Sequence, residues 1–445
     1  MEKKRSKFVE DAGAMREDLI EWCKEHPEST LDEIVGRATK SRRESMGQLV
    51  QEVIEEAKGQ PGMEACPACG GELENRGKNG RWISHYEGET EIKRRYYYCP
   101  RCKRGFFPLD EKLGLTTHRW SPEMIQIALR LGVEIPSYRR AADAYDALVK
   151  VSLSKSTLQK LVEEYGTKIE KGEAQEADRL SEPAAAKRID QEQPEPDGET
   201  MAVSMDGVMV HIREEGWKEV KVAAISAVEQ KVVGDEAKVH LHKHSYCAGL
   251  WEAKEFAKRQ WAEAWRRGLE KAKQVVSVND GAVWIWSLVK TCYTPCVEII
   301  DWWHAVEHLW EIVHVFFRED APEAKIWAET LKTLLWNGQI RSVIAQVRER
   351  YTAEEPFPDT LCRMLRYFIK HRHRMKYADY RGAGYPVGSG TVESACKTVV
   401  QERICQAGMR WSRSGLQAML ALRCNLLSDR WHDALASPSR VRASP

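Results

Sequence analysis

The chain of 445 residues predicts a multidomain fold of mixed class, α+β joined to α/β. Its main part is a mixed β-sheet with a helical insertion, preceded by a cysteine-built ribbon and a helix-turn-helix. Three observations lead there. The length exceeds what one hydrophobic core normally serves. Two Cys-x-x-Cys pairs, Cys66/Cys69 and Cys99/Cys102, bracket an aromatic, alternating stretch. From residue 201 onward, strands come in succession and then alternate with helices.

Residues 1–62 read as a helical region. STLDEIVGRATKSRRESMGQLVQEVIEEA has apolar residues at three- and four-residue spacing, Ser29 or Thr30 can cap it, and GQPG ends it. Residues 63–115 form a small module whose segments RWISHYEG and IKRRYYYC look like strands. Four thiolates in two such pairs close a tetrahedral structural Zn2+ site. Free thiols or redox pairs are the alternative. The other eight cysteines read as small buried hydrophobes. The module also carries Lys93, Arg94, Arg95, Arg101, Lys103 and Arg104.

Residues 116–171 turn helical. SYRRAADAYDALV and SKSTLQKLVEEYGTKI, separated by a few residues, fit a helix-turn-helix. Residues 172–200 hold nine acids and three bases, net −6, with little to bury, and read as a flexible acidic linker.

Residues 201–432 form the α/β part. AVSMDGVMVHI, WKEVKVAAISAVE and AKVHLHKHSY are three strands, WEAKEFAKRQWAEAWRRGLEKA a helix and QVVSVND a strand. GAVWIWSLVKTCY is a helix, CVEIID a strand and WWHAVEHLWEIVHVFF a helix. That order belongs to the RNase H-like fold, in which the fourth strand lies beside the first. Residues 311–385 read as a helical insertion and 433–445 as a tail. Trp284, Trp286, Trp302 and Trp303 read as core of the α/β layer.

Two acids stand out in this layer. Asp206 sits among apolar residues of the first strand, where a carboxylate is costly unless paired or bound to metal. Asp280 ends the fourth strand at a glycine turn, where open α/β sheets place functional groups. A helix N-cap is the competing reading for Asp280. If the strands are neighbours the two converge, and oxygen ligands of this kind suit hard divalent ions, Mg2+ or Mn2+. Glu393 falls in GSGTVESACKTVV, in the first turn of a helix that Ser389 or Thr391 can cap. Locally it reads as a dipole partner or capping-box member. Asp301 ends the fifth strand with His304 one helical turn on, as a further site acid or a cap that orients His304.

Residues 361–423 hold 12 Lys or Arg and three acids, net +9, with aromatics interleaved. Lys397, Arg403, Arg410, Trp411 and Arg413 are therefore candidate DNA contacts. Solvated helix faces are the plainer reading. Whole-chain net charge, +1, is uninformative. No apolar run reaches the ~20 residues needed to cross a bilayer, and MEKKRSKFVEDAG lacks the apolar stretch of a secretory signal. The expected setting is the cytoplasm, with no membrane partner.

SMDGVMV, VNDGAVWIW, IIDWWHAVEHLW and YPVGSGTVESACKTVVQERICQAGMRWS together resemble bacterial insertion-sequence transposases of the DDE type, the Kra group in particular. The resemblance covers the chain from about residue 200 onward, and the cysteine module fits it. It implies an RNase H-like core, a helical insertion before the last acid, and Asp206, Asp280 and Glu393 as the acids holding Mg2+ or Mn2+. Asp301-Trp-Trp-His304 matches a motif that follows the second acid in related groups. It further implies Mg2+-dependent cleavage and strand transfer of double-stranded DNA, terminal inverted repeats and target DNA as partners, a homo-oligomer and a nucleoid location. A DNA-binding regulator without catalysis, or a nuclease without strand transfer, are the competing functions. Residues 1–62 match nothing in that family.

Overall fold

The computed structural model describes residues 7–182, 193–233, 236–318, 320–351 and 357–436. They fall into two compact units, the first drawn mainly from 7–131 and 141–158, the second from 132–140 and 159–435.

The first unit opens with α1 (Lys7–Glu25) and α2 (Leu31–Val53). Thr30 caps α2, and its own backbone N–H donates to the Glu33 carboxylate at 2.7 Å, a reciprocal capping box. The strands β1 (Glu74–His85), β2 (Gly88–Cys99) and β3 (Arg104–Phe106) form an antiparallel sheet in that order. α2 lies close on β2 because Gly47 has no side chain: a Cβ there would run into the Glu89 carbonyl. The Thr90 hydroxyl donates to the Gly47 carbonyl at 2.8 Å. The short helix α3 (Pro108–Lys112) follows, then α4 (Pro122–Glu134), α5 (Tyr138–Val149) and α6 (Lys155–Leu180). Residues 116–171 are divided between the two units. Their last helix has 26 residues, against the two short helices that the sequence suggests.

The second unit is built on a five-stranded mixed sheet. Its strands are β4 (Thr200–Ile212), β5 (Gly216–Val233), β6 (Glu236–Gly249), β7 (Gln274–Asn279) and β8 (Val297–Ile300), in the order β6-β5-β4-β7-β8. β4, β5 and β6 are antiparallel neighbours, whereas β7 runs parallel to β4 and β8 parallel to β7. The fourth strand therefore lies beside the first. Alternate residues Met201, Val203 and Met205 of β4, and Ala223, Ile225 and Ala227 of β5, face the core. Against them pack α7 (Ala253–Arg266), α8 (Val283–Cys292) and α9 (Trp302–Phe316).

The insertion consists of α10 (Pro322–Trp336), α11 (Ile340–Arg350), α12 (Asp359–His371) and α13 (Tyr377–Gly382). Leu331, Leu335, Val343, Val347 and Phe368 join the same apolar cluster as the sheet, so the insertion shares its core. The chain continues into α14 (Gly390–Ala395), a π-helical turn Cys396–Gln401, Glu402–Ile404, α15 (Arg413–Leu427) and α16 (Trp431–Leu435).

The stretch 172–200 is not an open linker where it is described. α6 continues to Leu180, and Ala177 and Leu180 are buried against Ala262 and Trp265 of α7. Its acids pair with bases on α7, Asp178 with Lys258 at 2.7 Å and Glu176 with Arg266, and just ahead of it Glu170 of α6 pairs with Arg259 at 3.0 Å. Asp197 pairs with Lys243 at 2.8 Å and with Arg267. The negative charge that suggests a solvated linker complements a basic helix. The middle of that stretch, 183–192, lies outside the described residues, as does most of the tail.

Among the described residues no helix is long and apolar enough to cross a membrane.

Candidate functional site

The parallel register brings three carboxylates to one level of the second unit's sheet. Val203 of β4 pairs with Ser277 of β7, and three residues further along lie Asp206 and Asp280. Asn279 of β7 pairs with Ile300 of β8, and the next residues are Asp280 and Asp301. Adjacent strands are about 4.8 Å apart, so Asp206, within β4, stands level with Asp280 and Asp301, which directly follow the ends of β7 and β8. Asn279, fully buried, secures this edge. Its side-chain Oδ1 accepts the Met205 N–H at 2.6 Å, its Nδ2 donates to Ser277 Oγ at 2.7 Å, and its carbonyl accepts the Asp301 N–H at 2.8 Å.

Asp280 accepts the Ala282 N–H at 2.8 Å, but Ala282 itself holds the N-cap position of α8, so Asp280 sits ahead of the helix and does not cap it. Burial pushes its carboxyl above the ordinary range. The charges of Asp206 and Asp301 push the same way, against the Ala282 N–H and His304. Asp206 is half-buried; its Oδ1 accepts the Gly207 N–H at 2.7 Å and its Oδ2 the Cys396 thiol at 3.5 Å.

Asp301 has no exposure at all. Its Oδ1 accepts the His304 N–H at 2.8 Å, making it the N-cap of α9, and its Oδ2 accepts the Ser389 N–H. The Trp302 N–H donates to the Val387 carbonyl at 2.9 Å beside it. Ser389 Oγ then donates to Glu393 Oε1 at 2.9 Å. Asp301, His304 and Glu393 each offer a ligand atom within 4.8 Å of the others. Glu393 is exposed and is grouped with Asp301 and His304. Cys396, one turn beyond Glu393, links the groups: burial, then Asp206, then Glu393 hold its thiol strongly protonated, so it donates to Asp206.

Tyr367, from α12 of the insertion, leans on Gly281, the residue after Asp280, where any side chain would collide with its ring. Its hydroxyl is buried without a hydrogen bond among the described residues. Burial first, and then the charges of Asp280 and Asp301, raise its pKa. Nothing in the sequence singles out Tyr367, which is 87 residues from Asp280. Cys396, at helical spacing from Glu393, and Asn279, adjacent to Asp280, were legible by position.

The candidate DNA contacts divide. Lys397 and Arg410 are exposed, and Arg413 is exposed but paired with Glu215 at 2.6 Å. Arg403 is 1% exposed and cannot reach a DNA backbone. Its guanidinium donates to the Gly132 and Pro136 carbonyls, and burial lowers its pKa to about 10. Trp411 is likewise buried, with its indole N–H on the Ile404 carbonyl at 3.0 Å and Arg403 against its ring. Trp303 departs from its expected core position: it is 61% exposed, next to Gly388 at the edge of the acidic site.

In the first unit the four expected cysteines converge. Cys66 and Cys102 are 3.6 Å apart and Cys69 and Cys99 3.5 Å, all four within reach of one ion. Four sulfurs around Zn2+ at ~2.3 Å would lie about 3.8 Å apart, close to what is observed. Of the basic residues on this module, Arg94 is buried, paired with Asp110 and stacked on Phe107. Of the remaining cysteines, Cys247, Cys396 and Cys424 are buried, whereas Cys405 is exposed.

No curated protein matches the chain in sequence. Eight solved chains match in structure. One is the Drosophila P element transposase strand transfer complex, 11% identical, aligned over 73% of this chain and 83% of that one. Its TM-score is 0.22, too loose a superposition to carry an argument. Residues 31–430 match a family model described as "Uncharacterised protein family (UPF0236)". With that match spanning most of its length, the chain belongs to the Uncharacterised protein family UPF0236.

Proposed function

We propose that the protein is a metal-dependent DNA transposase of the DDE type, with an RNase H-like catalytic unit and a zinc-bearing DNA-binding module. The observation that carries this reading is the row of carboxylates Asp206, Asp280 and Asp301 on three adjacent strands, with Glu393 on the helix alongside. Buried acids crowded together are unfavourable without a cation, and a fold of this size has little reason to keep them otherwise. Divalent ions held there supply the positive charge that a phosphodiester needs while an oxygen attacks and another leaves.

The residues divide the work. Asp206 and Asp280 supply oxygen ligands from the sheet, and Glu393 supplies one from α14. The Cys396 thiol fixes the Asp206 carboxylate, and Asp301 fixes both His304 and the turn before Glu393. Lys397, exposed on the same helical segment, meets a backbone phosphate, with Arg410 and Arg413 further along. Water first cleaves the phosphodiester at an element end and frees a 3′-hydroxyl. That hydroxyl then attacks a target phosphodiester, forming a new bond as the target's own 3′-oxygen leaves and takes up a proton. Two DNA ends joined in one event call for at least a dimer.

The test is a supercoiled plasmid carrying the DNA that flanks the protein's own reading frame, incubated with Mg2+. Wild-type protein nicks or joins it, and Asp206→Ala, Asp280→Ala and Glu393→Ala each abolish this while DNA binding survives. Sequence-specific binding without cleavage by the wild type would replace the enzyme by a DNA-binding regulator. Nicking without joining would make it a nuclease.

A further inference from the structure

The acidic site is not uniform. Asp206 and Asp280 offer only oxygen, whereas the group gathered around Asp301 includes an imidazole. We propose that Asp301, His304 and Glu393 form a cation site of their own, which takes a first-row transition ion such as Mn2+ in preference to Mg2+. The inference rests on the proposed function only in reading Glu393 as a metal ligand.

The geometry is built from one hub. Asp301 is buried, and each of its oxygens accepts one backbone N–H, which leaves a lone pair on each for a cation. The first of those bonds fixes the turn that carries His304; the second fixes Ser389, whose hydroxyl holds the Glu393 carboxylate at 2.9 Å. The ligands of α9 and α14, His304 and Glu393, are thereby tied to the carboxylate that follows β8. The three ligand atoms lie within 4.8 Å of one another, which suits an ion with ~2.1–2.2 Å bonds, and exposed Glu393 is the group free to adjust.

The imidazole is oriented as ligands are. Its Nδ1 faces the Glu307 carboxylate at 3.2 Å, leaving Nε2 to bind. A carboxylate behind a ligating histidine fixes its tautomer and raises its basicity. The donor set, two carboxylates and one imidazole, sets the preference. Mg2+ demands oxygen ligands and holds its waters, so a nitrogen is a poor substitute. Mn2+ and the later divalent ions accept nitrogen and oxygen together. The four thiols of the other unit do not compete, since Mn2+ is the member of that series least suited to sulfur.

Mn2+ also provides the readout. Full-length zinc-loaded protein, without DNA, is titrated with Mn2+ and followed by electron paramagnetic resonance, with electron spin echo modulation recorded for coordinated 14N. The expected result is a bound Mn2+ with nitrogen modulation. It disappears in His304→Gln, persists in His308→Gln, and needs at least about a tenfold excess of Mg2+ for displacement. Circular dichroism checks that His304→Gln is folded. Absence of nitrogen modulation in the wild type, its survival in His304→Gln, or equal competition by Mg2+ would each overturn the proposal. Plasmid nicking separates the two readings. Nicking without nitrogen modulation sinks this site and leaves the transposase; His304-dependent modulation without any nicking keeps the site and sinks the transposase.

Discussion

At the scale of the residue, Asp280 makes a pH-dependent prediction. Its carboxyl is held above the ordinary range by burial and by neighbouring acids. Between the unfolded carboxylate value, about 3.9, and that raised value, the folded state binds more protons than the unfolded one. Stability therefore falls as pH rises through this window and stays lower above it. Asp280→Asn keeps the oxygen that accepts the Ala282 N–H and removes the charge. Without added divalent ion, the variant should melt above the wild type at pH 8, by about 2–4 °C for each kcal/mol relieved, with the gap closing near pH 4. Added Mg2+ should raise the wild-type melting temperature at pH 8 and leave the variant's unchanged. A variant that melts below the wild type at both pH values would show that the charge is already compensated. Residue types told which acids deserve suspicion, because a carboxylate in an apolar strand is visible in one dimension. They did not tell that Arg403 and Trp411 are buried against each other, or that Trp303 is exposed, since burial is decided by segments far away in the chain.

At the scale of the element, the strand order was legible because alternation and strand-end acids are local signals, and β4 and β7 pair as that order requires. α6 was not fully legible. Its acids look solvated until α7 is laid beside it, so the same residues that suggest disorder hold two helices together. The cysteine hairpin has little core of its own: Ile83, Ile92 and Leu109 form its small cluster. An ion at four thiolates would supply the missing free energy, since structural zinc contributes about 10–16 kcal/mol in isolated finger peptides. Cys66→Ser and Cys99→Ser should each lose about one zinc per chain by elemental analysis and open β1–β3 to protease, while the second unit's helical signal persists. Retained zinc in both variants would move the metal elsewhere. The helix of Glu393 carries a π-turn from Cys396 to Gln401, a feature often found where a side chain must be re-aimed, and no sequence pattern announced it.

At the scale of the whole molecule, a net charge of +1 leaves the proposed DNA binding to local patches, and the linear count of +9 over 361–423 overstates them. Arg403 and Arg423 are buried, Arg374 is paired with Glu298, Arg363 with Glu311 and Arg413 with Glu215. Lys397 and Arg410 are among the seven that remain exposed. In anisotropy titrations across NaCl concentrations, Lys397→Ala and Arg410→Ala should each reduce the slope of log K against log salt by about 0.9, and Arg413→Ala by less. A larger loss from Arg413 than from Lys397 would mean that the Glu215 pair opens on binding.

Asp301 joins the Trp302 turn to Ser389 across 88 residues of chain, with the Val387 carbonyl taking a second bond beside it. This clasp makes the loop between them a closed ring whose two feet are fixed whatever its circumference. Segments within that ring can lengthen, shorten or exchange surface residues while the carboxylate beyond the second foot keeps its station. The solvent-facing surfaces of the insertion are thus a part of the second unit open to divergence, whereas the clasp residues hold the carboxylate's position.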